Sequence, residues 1–306
     1  MFHSLDGRTV LVATNGRPES IAAIHVAFAL ARRRGARPEV LRAFDADALA
    51  VPGPTPAILL LADDLLSDEP HGAWKHELRL AVGEQLGSVP DWPAHVRVGS
   101  PAGSIVREAE ALNASLVVIG LRHHGIADRL RRDETSLHVA RASRVPVLAV
   151  APDLETLPRR VVVGVDFSRA SLLAARAALS VIDERGTLVL AYVRPDDDDQ
   201  ADEACEGIGV IQAQGVAASF ERLRADLAAP PGITVEPLVL SGVPVAELRT
   251  IAQRSGADLI AVGSHRHETI ERWLLGTVTA DLVRDGRTSL LVVPPSPPTR
   301  SARRYR

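Results

Sequence analysis

Gly242-Val-Pro-Val-Ala246, a helical pattern, then Gly256-Ala-Asp258 and Leu259-Ile-Ala-Val-Gly263 form the stretch that decides the fold. An earlier stretch matches it: Gly99-Ser-Pro-Ala-Gly103, then Asn113-Ala-Ser115, then Leu116-Val-Val-Ile-Gly120. Gly99 and Gly242 lie 143 positions apart, as do Gly120 and Gly263. Val145-Pro-Val-Leu-Ala-Val150 and Thr288-Ser-Leu-Leu-Val-Val293 keep that offset. The openings of the two copies, Thr9-Val-Leu-Val-Ala-Thr-Asn15 and Val161-Val-Val-Gly-Val-Asp166, lie 151 apart, which places a longer middle segment in the first. A self-similarity held at one spacing over so much of the chain is a tandem duplication.

Within a copy, strands alternate with helices. Arg160–Val165 is short, almost wholly apolar and rich in β-branched residues, as suits a parallel strand buried on both faces. Ser168–Ile182 sets Leu172, Leu173, Ala175, Ala178, Leu179 and Ile182 on one helical face, with Gly186 expected at its C′ position. There follow a strand over Thr187–Val193, a helix around Ile211–Leu227, a strand over Thr234–Leu240 and a helix over Pro244–Ser255. A strand over Asp258–Val262, a helix from near Gly276 and a strand over Ser289–Val293 complete the copy. Such alternation implies right-handed crossovers and a parallel sheet covered by helices on both faces. The expected fold is therefore α/β, with two tandem doubly wound domains over residues 1–151 and 158–295 and a basic tail over 296–306. Asp153–Pro158 reads as the linker. The apolar terminal strands, Val147–Val150 and Leu290–Val293, are expected at sheet edges, where the two domains can pair about a pseudo-twofold axis.

Composition removes several function classes. The 306 residues carry 35 Lys+Arg against 38 Asp+Glu, so no basic excess drives nucleic-acid binding. Cys205 is the single cysteine, which excludes an internal disulfide, a CxxC pair and a multi-cysteine zinc site. Lys75, in Ala-Trp-Lys-His, is the single lysine, and the P-loop pattern GxxxxGK[ST] is absent. No apolar run is long enough for a membrane span and the N-terminus lacks signal-peptide order, so the expected location is the cytoplasm. His123-His124 and His265-x-His267 lack the partners of a zinc site, and Asp196–Asp199 lacks the glycine hinge of a calcium loop. Ser100-Pro-Ala-Gly-Ser104 is no nucleophile elbow; like Gly242-Val-Pro-Val, it reads as a strand-to-helix turn with proline near N1. No general base or nucleophile stands out.

Ligands of doubly wound sheets bind beyond the carboxyl ends of the strands, where strand order reverses. In domain 2, Asp166 ends the first strand, Gly263 ends the fourth, and Gly276-Thr277 opens the last helix. Free N–H groups and the positive dipole end of a helix start suit phosphate, and glycine permits close approach. Singly, each has a structural reading: Asp166 as an N-cap, Gly263 as a tight turn, Thr277 as a cap. Together, at this spacing, they point to a nucleotide.

In these residues the chain resembles the universal stress protein family in its tandem two-domain form, over roughly Thr9–Pro294. The resemblance implies a five-stranded parallel, Rossmann-like domain of the adenine nucleotide alpha hydrolase type. In ATP-binding members it implies the pattern G-x2-G-x9-G-[ST]. Here the first glycine is Gly263, the second position holds Arg266, and the third is Gly276, followed by Thr277. The family's adenine-contacting Asp falls on Asp166, its apolar adenine contacts on Val193 and Val262, and its phosphate-binding helix start on Gly276, Thr277, Val278 and Thr279. His265 matches a position near the ribose and phosphates of some members. Domain 1 departs further: Gly120 is kept, but His123, Asp133 and Glu134 stand at the other motif positions, and Asn15 replaces the Asp. A carboxylate pair at a helix start complements the dipole itself and repels phosphate. The resemblance thus implies ATP, with Mg²⁺ as companion ion, in the C-terminal domain only.

Arg266 cuts both ways. A side chain there restricts positive φ and close backbone contact, whereas a guanidinium grips phosphate bidentately. Three readings follow: a cytoplasmic stress-response protein that binds ATP and acts through conformation or partners, a non-nucleotide scaffold of the same fold, and a slow ATPase or nucleotidyl-transfer enzyme. A homodimer beyond the intrachain pair is a further expectation; a nucleic-acid or membrane partner is not.

Overall fold

The computed structural model describes residues 5–16, 20–44, 72–121, 135–194, 206–264, 280–283 and 287–295, with backbone alone over 206–214. Asp196–Asp199, the histidine-bearing segments 122–134 and 265–275, the Gly276-Thr277 pair and residues 296–306 lie outside these.

The first half runs β1 (Thr9–Ala13), α1 (Ile21–Arg34), β2 (Arg37–Phe44), α2 (Gly72–Leu86), β3 (Ala94–Val98), α3 (Pro101–Ala111), β4 (Leu116–Gly120), α4 (Thr135–Ala142) and β5 (Val147–Val150). The second runs β6 (Arg160–Val165), α5 (Arg169–Val181), β7 (Thr187–Arg194), α6 (Glu206–Leu227), β8 (Thr234–Ser241), α7 (Pro244–Ser255), β9 (Leu259–Gly263) and β10 (Ser289–Val293). All ten strands among the described residues join one sheet, ordered β3-β2-β1-β4-β5-β10-β9-β6-β7-β8. Each half contributes five parallel strands in the doubly wound order 3-2-1-4-5. β5 and β10 meet antiparallel, with Leu291 opposite Leu148, Leu290 opposite Ala149 and Val292 opposite Val147. The terminal strands thus lie at the centre of the sheet, and its outer edges are β3 and β8. Pro237 within β8 removes a donor from that edge.

Apolar layers cover both faces, as parallel strands require. Helices α1, α2, α5 and α6 pack through Leu30, Leu78, Ala174 and Phe220 onto one face. Helices α3, α4 and α7 pack through Ile105, Leu137 and Leu248 onto the other. The linker is tied down: Leu154 and Leu157 are buried in the first layer, and Leu154 N–H donates to the Ala151 carbonyl at 3.1 Å. Pro101 and Pro244 sit in the first turns of α3 and α7, as the strand-to-helix turns predict. One helix end differs from expectation. Gly35 closes α1 in the left-handed region (φ 63°), but α5 ends on Ile182 in extended backbone and Gly186 is not its cap. A Cβ at Gly186 would lie 2.6 Å from Ile182 Cγ1 and 2.9 Å from the Arg159 carbonyl oxygen, so close approach demands this glycine.

The halves differ at one polar cluster. His95 on β3 has Nε2 2.8 Å from Glu39 Oε2 on β2, and Nδ1 3.0 Å from Glu108 Oε1 on α3. Arg97 on β3 grips Glu108 bidentately at 2.8 and 2.9 Å. By strand register and the 143-residue offset, the same four positions in the second half are Val189, Leu238, Leu240 and Ile251, all packed in an apolar layer. A polar quartet and an apolar quartet occupy equivalent places in two copies of one fold.

Candidate functional site at the carboxyl ends of the second-half strands

Strand order reverses between β6 and β9, and both Asp166 and Gly263 stand at that point. Asp166 is exposed and directly follows β6. Its Oδ1 accepts the Ser168 N–H at 3.0 Å, closing a turn, and Ser168 Oγ accepts the Ser171 N–H at 3.3 Å to cap α5. The helix cap is therefore Ser168, and Asp166 shapes the turn that leads to it. Between them Phe167 takes φ +58°, a left-handed backbone that bulky residues avoid. Its ring packs against Tyr192 of β7 and Phe220 of α6, with centroids 4.9 and 5.0 Å away, which holds the turn in place.

Gly263 closes β9 directly beneath the first turn of α5. A Cβ there would lie 2.5 Å from the Ala170 carbonyl oxygen and 2.6 Å from its carbon. The glycine is thus required by backbone packing, which brings the Asp166 turn down onto the end of β9. Gly263→Ala should lower stability by about 1–3 kcal/mol through overpacking, measurable as a lower urea midpoint at unchanged slope. Beyond it Ser264 N–H donates to the Val293 carbonyl at 2.9 Å, pinning the loop exit to β10. Val262 is buried among Val162, Val189 and Leu248. Val193 is half-buried and continues the alternation of Val189 and Ala191, which puts it on the same face as Val262.

Asp166, Val193, Val262 and Gly263 are therefore gathered at the carboxyl ends of β6, β7 and β9. His265, Arg266, Gly276, Thr277, Val278 and Thr279 lie outside the described residues. Among the described residues no cluster of three His, Cys, Asp or Glu side chains is placed to hold a metal ion. No described helix is long and apolar enough to cross a membrane.

The first half builds the same turn with different chemistry. Gly16 (φ +73°) occupies the place of Phe167, and Asn15 that of Asp166. Ser20 Oγ lies 2.7 Å from Thr14 Oγ1 and donates to Asn15 Oδ1 at 3.3 Å; Gly16 N–H donates to Thr14 Oγ1 at 3.1 Å. Arg42 lies over the Phe44 ring at 4.6 Å and within 3.9 Å of the space a Gly16 Cβ would take. In α4, Ser136 Oγ donates to the Gly120 carbonyl at 3.2 Å, so the returning helix start meets the strand-ending glycine. Gly120 and Asn15 stand at motif positions, whereas Thr14, Ser20, Arg42 and Phe167 belong to no motif and join them only through the fold. Aligning the copies at their 151-residue offset pairs Ser20 with Ser171 and Gly16 with Phe167, and only the glycine announces a left-handed backbone.

Comparison with known proteins agrees with this architecture. The model of the universal stress protein family matches residues 7–151 and again 158–294. A universal stress protein of Methanocaldococcus jannaschii is 28% identical over 143 residues, 45% of this chain and 84% of that protein. One from Mycobacterium tuberculosis is 26% identical over 185 residues, 58% of this chain, and the match spans 61% of the mycobacterial protein. The crystal structure of a universal stress protein from Archaeoglobus fulgidus shares the fold at a TM-score of 0.62 and 19% identity, covering 94% of this chain and 98% of that one. None of these relatives bears an enzyme's name. With both halves matched by one family model over nearly the whole length, the chain belongs to the universal stress protein family.

Proposed function

We propose that the second half binds ATP, with Mg²⁺ as companion ion, and that the protein acts in a cytoplasmic stress response through conformation or partner binding. The observation that carries this reading is the pairing, at the β6/β9 switch point, of the exposed Asp166 turn with the Gly263 strand end beneath α5. Asp166 suits the polar edge of adenine or a ribose hydroxyl, and the half-buried Val193 offers apolar surface to the base. Gly276, Thr277, Val278 and Thr279 suit the phosphates as N–H donors and hydroxyls, with His265 and Arg266 as cationic companions. By the 143-residue offset Thr279 corresponds to Ser136, which touches Gly120 in the first half. That correspondence supports a phosphate-binding helix start close to Gly263. In the first half the sequence sets Asp133-Glu134 at the equivalent motif positions, which disfavours a second phosphate site.

Calorimetric titration with ATP and Mg²⁺ tests the reading on protein stripped of co-purified nucleotide. One ATP should bind per chain, and Thr277→Val should weaken it about tenfold by removing a hydroxyl and its cap. No heat at millimolar ATP overturns the proposal. The residue at the second motif position favours one other reading, a scaffold that does not bind nucleotide. Acquisition of ATP binding by Arg266→Gly, where the wild type has none, would select it.

A further inference from the structure

We propose that the β5–β10 seam is selective, accepting the unlike half of the same chain and rejecting the like half of a second copy. The seam's pseudo-twofold axis passes through the Leu148–Leu291 pair, since these residues are opposite one another and also equivalent by the 143-residue offset. Any like pair can therefore be built by exchanging equivalent residues across it.

The ends of the seam are asymmetric. Ala151 N–H donates to Ser289 Oγ at 3.0 Å, a buried hydrogen bond between the halves. By the offset, Ser289 corresponds to Pro146 and Ala151 to Pro294, and both prolines are buried. At the other end of the seam, then, one proline without an N–H faces another without a hydroxyl, and neither side lacks a partner. Two first halves pairing together would bury two Ala151 N–H groups against Pro146 rings. Two second halves would bury two Ser289 hydroxyls against prolines with no N–H to offer. Each orphaned amide disfavours such a pair by about tenfold or more.

Charge at the adjoining helix ends repeats the pattern. Arg33, in the last turn of α1, forms an ion pair with Asp183 just beyond α5. The 151-residue offset makes Asp183 equivalent to Arg32, and Arg33 equivalent to Glu184. Pairing of first halves would set Arg33 against Arg32, and pairing of second halves Glu184 against Asp183. Hydrogen bonding and charge thus exclude the same combinations, independently of any nucleotide. The seam's occupant is an unlike half, which the chain itself supplies, and the like half of a second copy has no place in it.

The test starts from the full-length folded protein carrying a protease site between the exposed Glu155 and Thr156 of the linker. The cut protein is unfolded in urea, refolded as a mixture and weighed by native mass spectrometry. Only the pair of one N-terminal with one C-terminal fragment should appear; like pairs in statistical proportion overturn the proposal. A double-mutant cycle on the intact chain decides the matter if the fragments do not re-pair. Ser289→Ala should raise the unfolding constant about tenfold by orphaning the Ala151 N–H. Adding Ala151→Pro, which copies Pro294 and removes the orphan, should recover most of that loss. Strict additivity of the two changes overturns the proposal.

Discussion

Arg97→Leu is expected to destabilise the first half by about 3 kcal/mol, whereas converting all four members of its polar quartet to their second-half counterparts should be neutral or stabilising. Glu108 is the buried member, with its side chain 6% exposed, while Arg97 is 45% exposed. Losing the arginine leaves a buried carboxylate with His95 as its remaining side-chain neighbour in the quartet; losing the glutamate releases a guanidinium that can turn to water. Glu108→Ile should therefore cost clearly less than Arg97→Leu, an asymmetry that simple counting of ion pairs would not give. The full replacement, Glu39→Val with His95→Leu, Arg97→Leu and Glu108→Ile, installs the set that already packs at equivalent positions around Val189. Urea denaturation of the four proteins measures this, with circular dichroism and the fluorescence of the three tryptophans as separate probes of two-state behaviour. A quadruple variant less stable than Arg97→Leu would show that the two halves are not interchangeable at this layer.

Phe167→Ala should cost about 3 kcal/mol, because it removes the ring from Tyr192 and Phe220 while leaving a Cβ in the left-handed region. Phe167→Gly loses the same ring contacts but relieves the backbone, so it should be more stable than the alanine variant by about 1 kcal/mol. This inverts the usual order, in which alanine is better tolerated than glycine. Gly16 at the matching position of the first half is the natural precedent. Under the proposed ATP binding, Phe167→Ala also weakens affinity by loosening the turn that carries Asp166. Thermal denaturation and the calorimetric titration separate the two effects.

The large-scale plan was legible in the sequence because duplication and burial both leave simple signals. The 143-residue offset identified the copies, and the β-branched runs at Val161–Val165 and Leu259–Val262 marked strands covered on both faces. The apolar terminal strands also announced the pairing between the halves. Local causes were harder to read. Gly263 was expected as a tight turn, yet its neighbour Ala170 lies far away in sequence, so no local pattern could reveal the contact. Gly186 reads as a helix cap, although the Ile182 side chain four residues back and the distant Arg159 carbonyl set its requirement. Phe167 gave no hint of its backbone, since tertiary packing of three aromatic rings holds it there. The quartet escaped notice because Glu39, His95, Arg97 and Glu108 come from three elements and are spaced like ordinary surface charges. Only the comparison of the two copies carries its signal, since polar side chains stand against Val, Leu and Ile at all four sites.

The antiparallel seam has a geometric consequence for communication. Strands of the first half run one way along the sheet and those of the second run the other, so their carboxyl ends emerge on opposite rims. No single small molecule can bridge the Asn15 turn and the Asp166 turn. A partner approaching one rim leaves the other open, which lets the molecule engage two different surroundings at once. What joins the two rims is the β5–β10 seam, with the Ala151–Ser289 hydrogen bond at its end and the Arg33–Asp183 ion pair beside it.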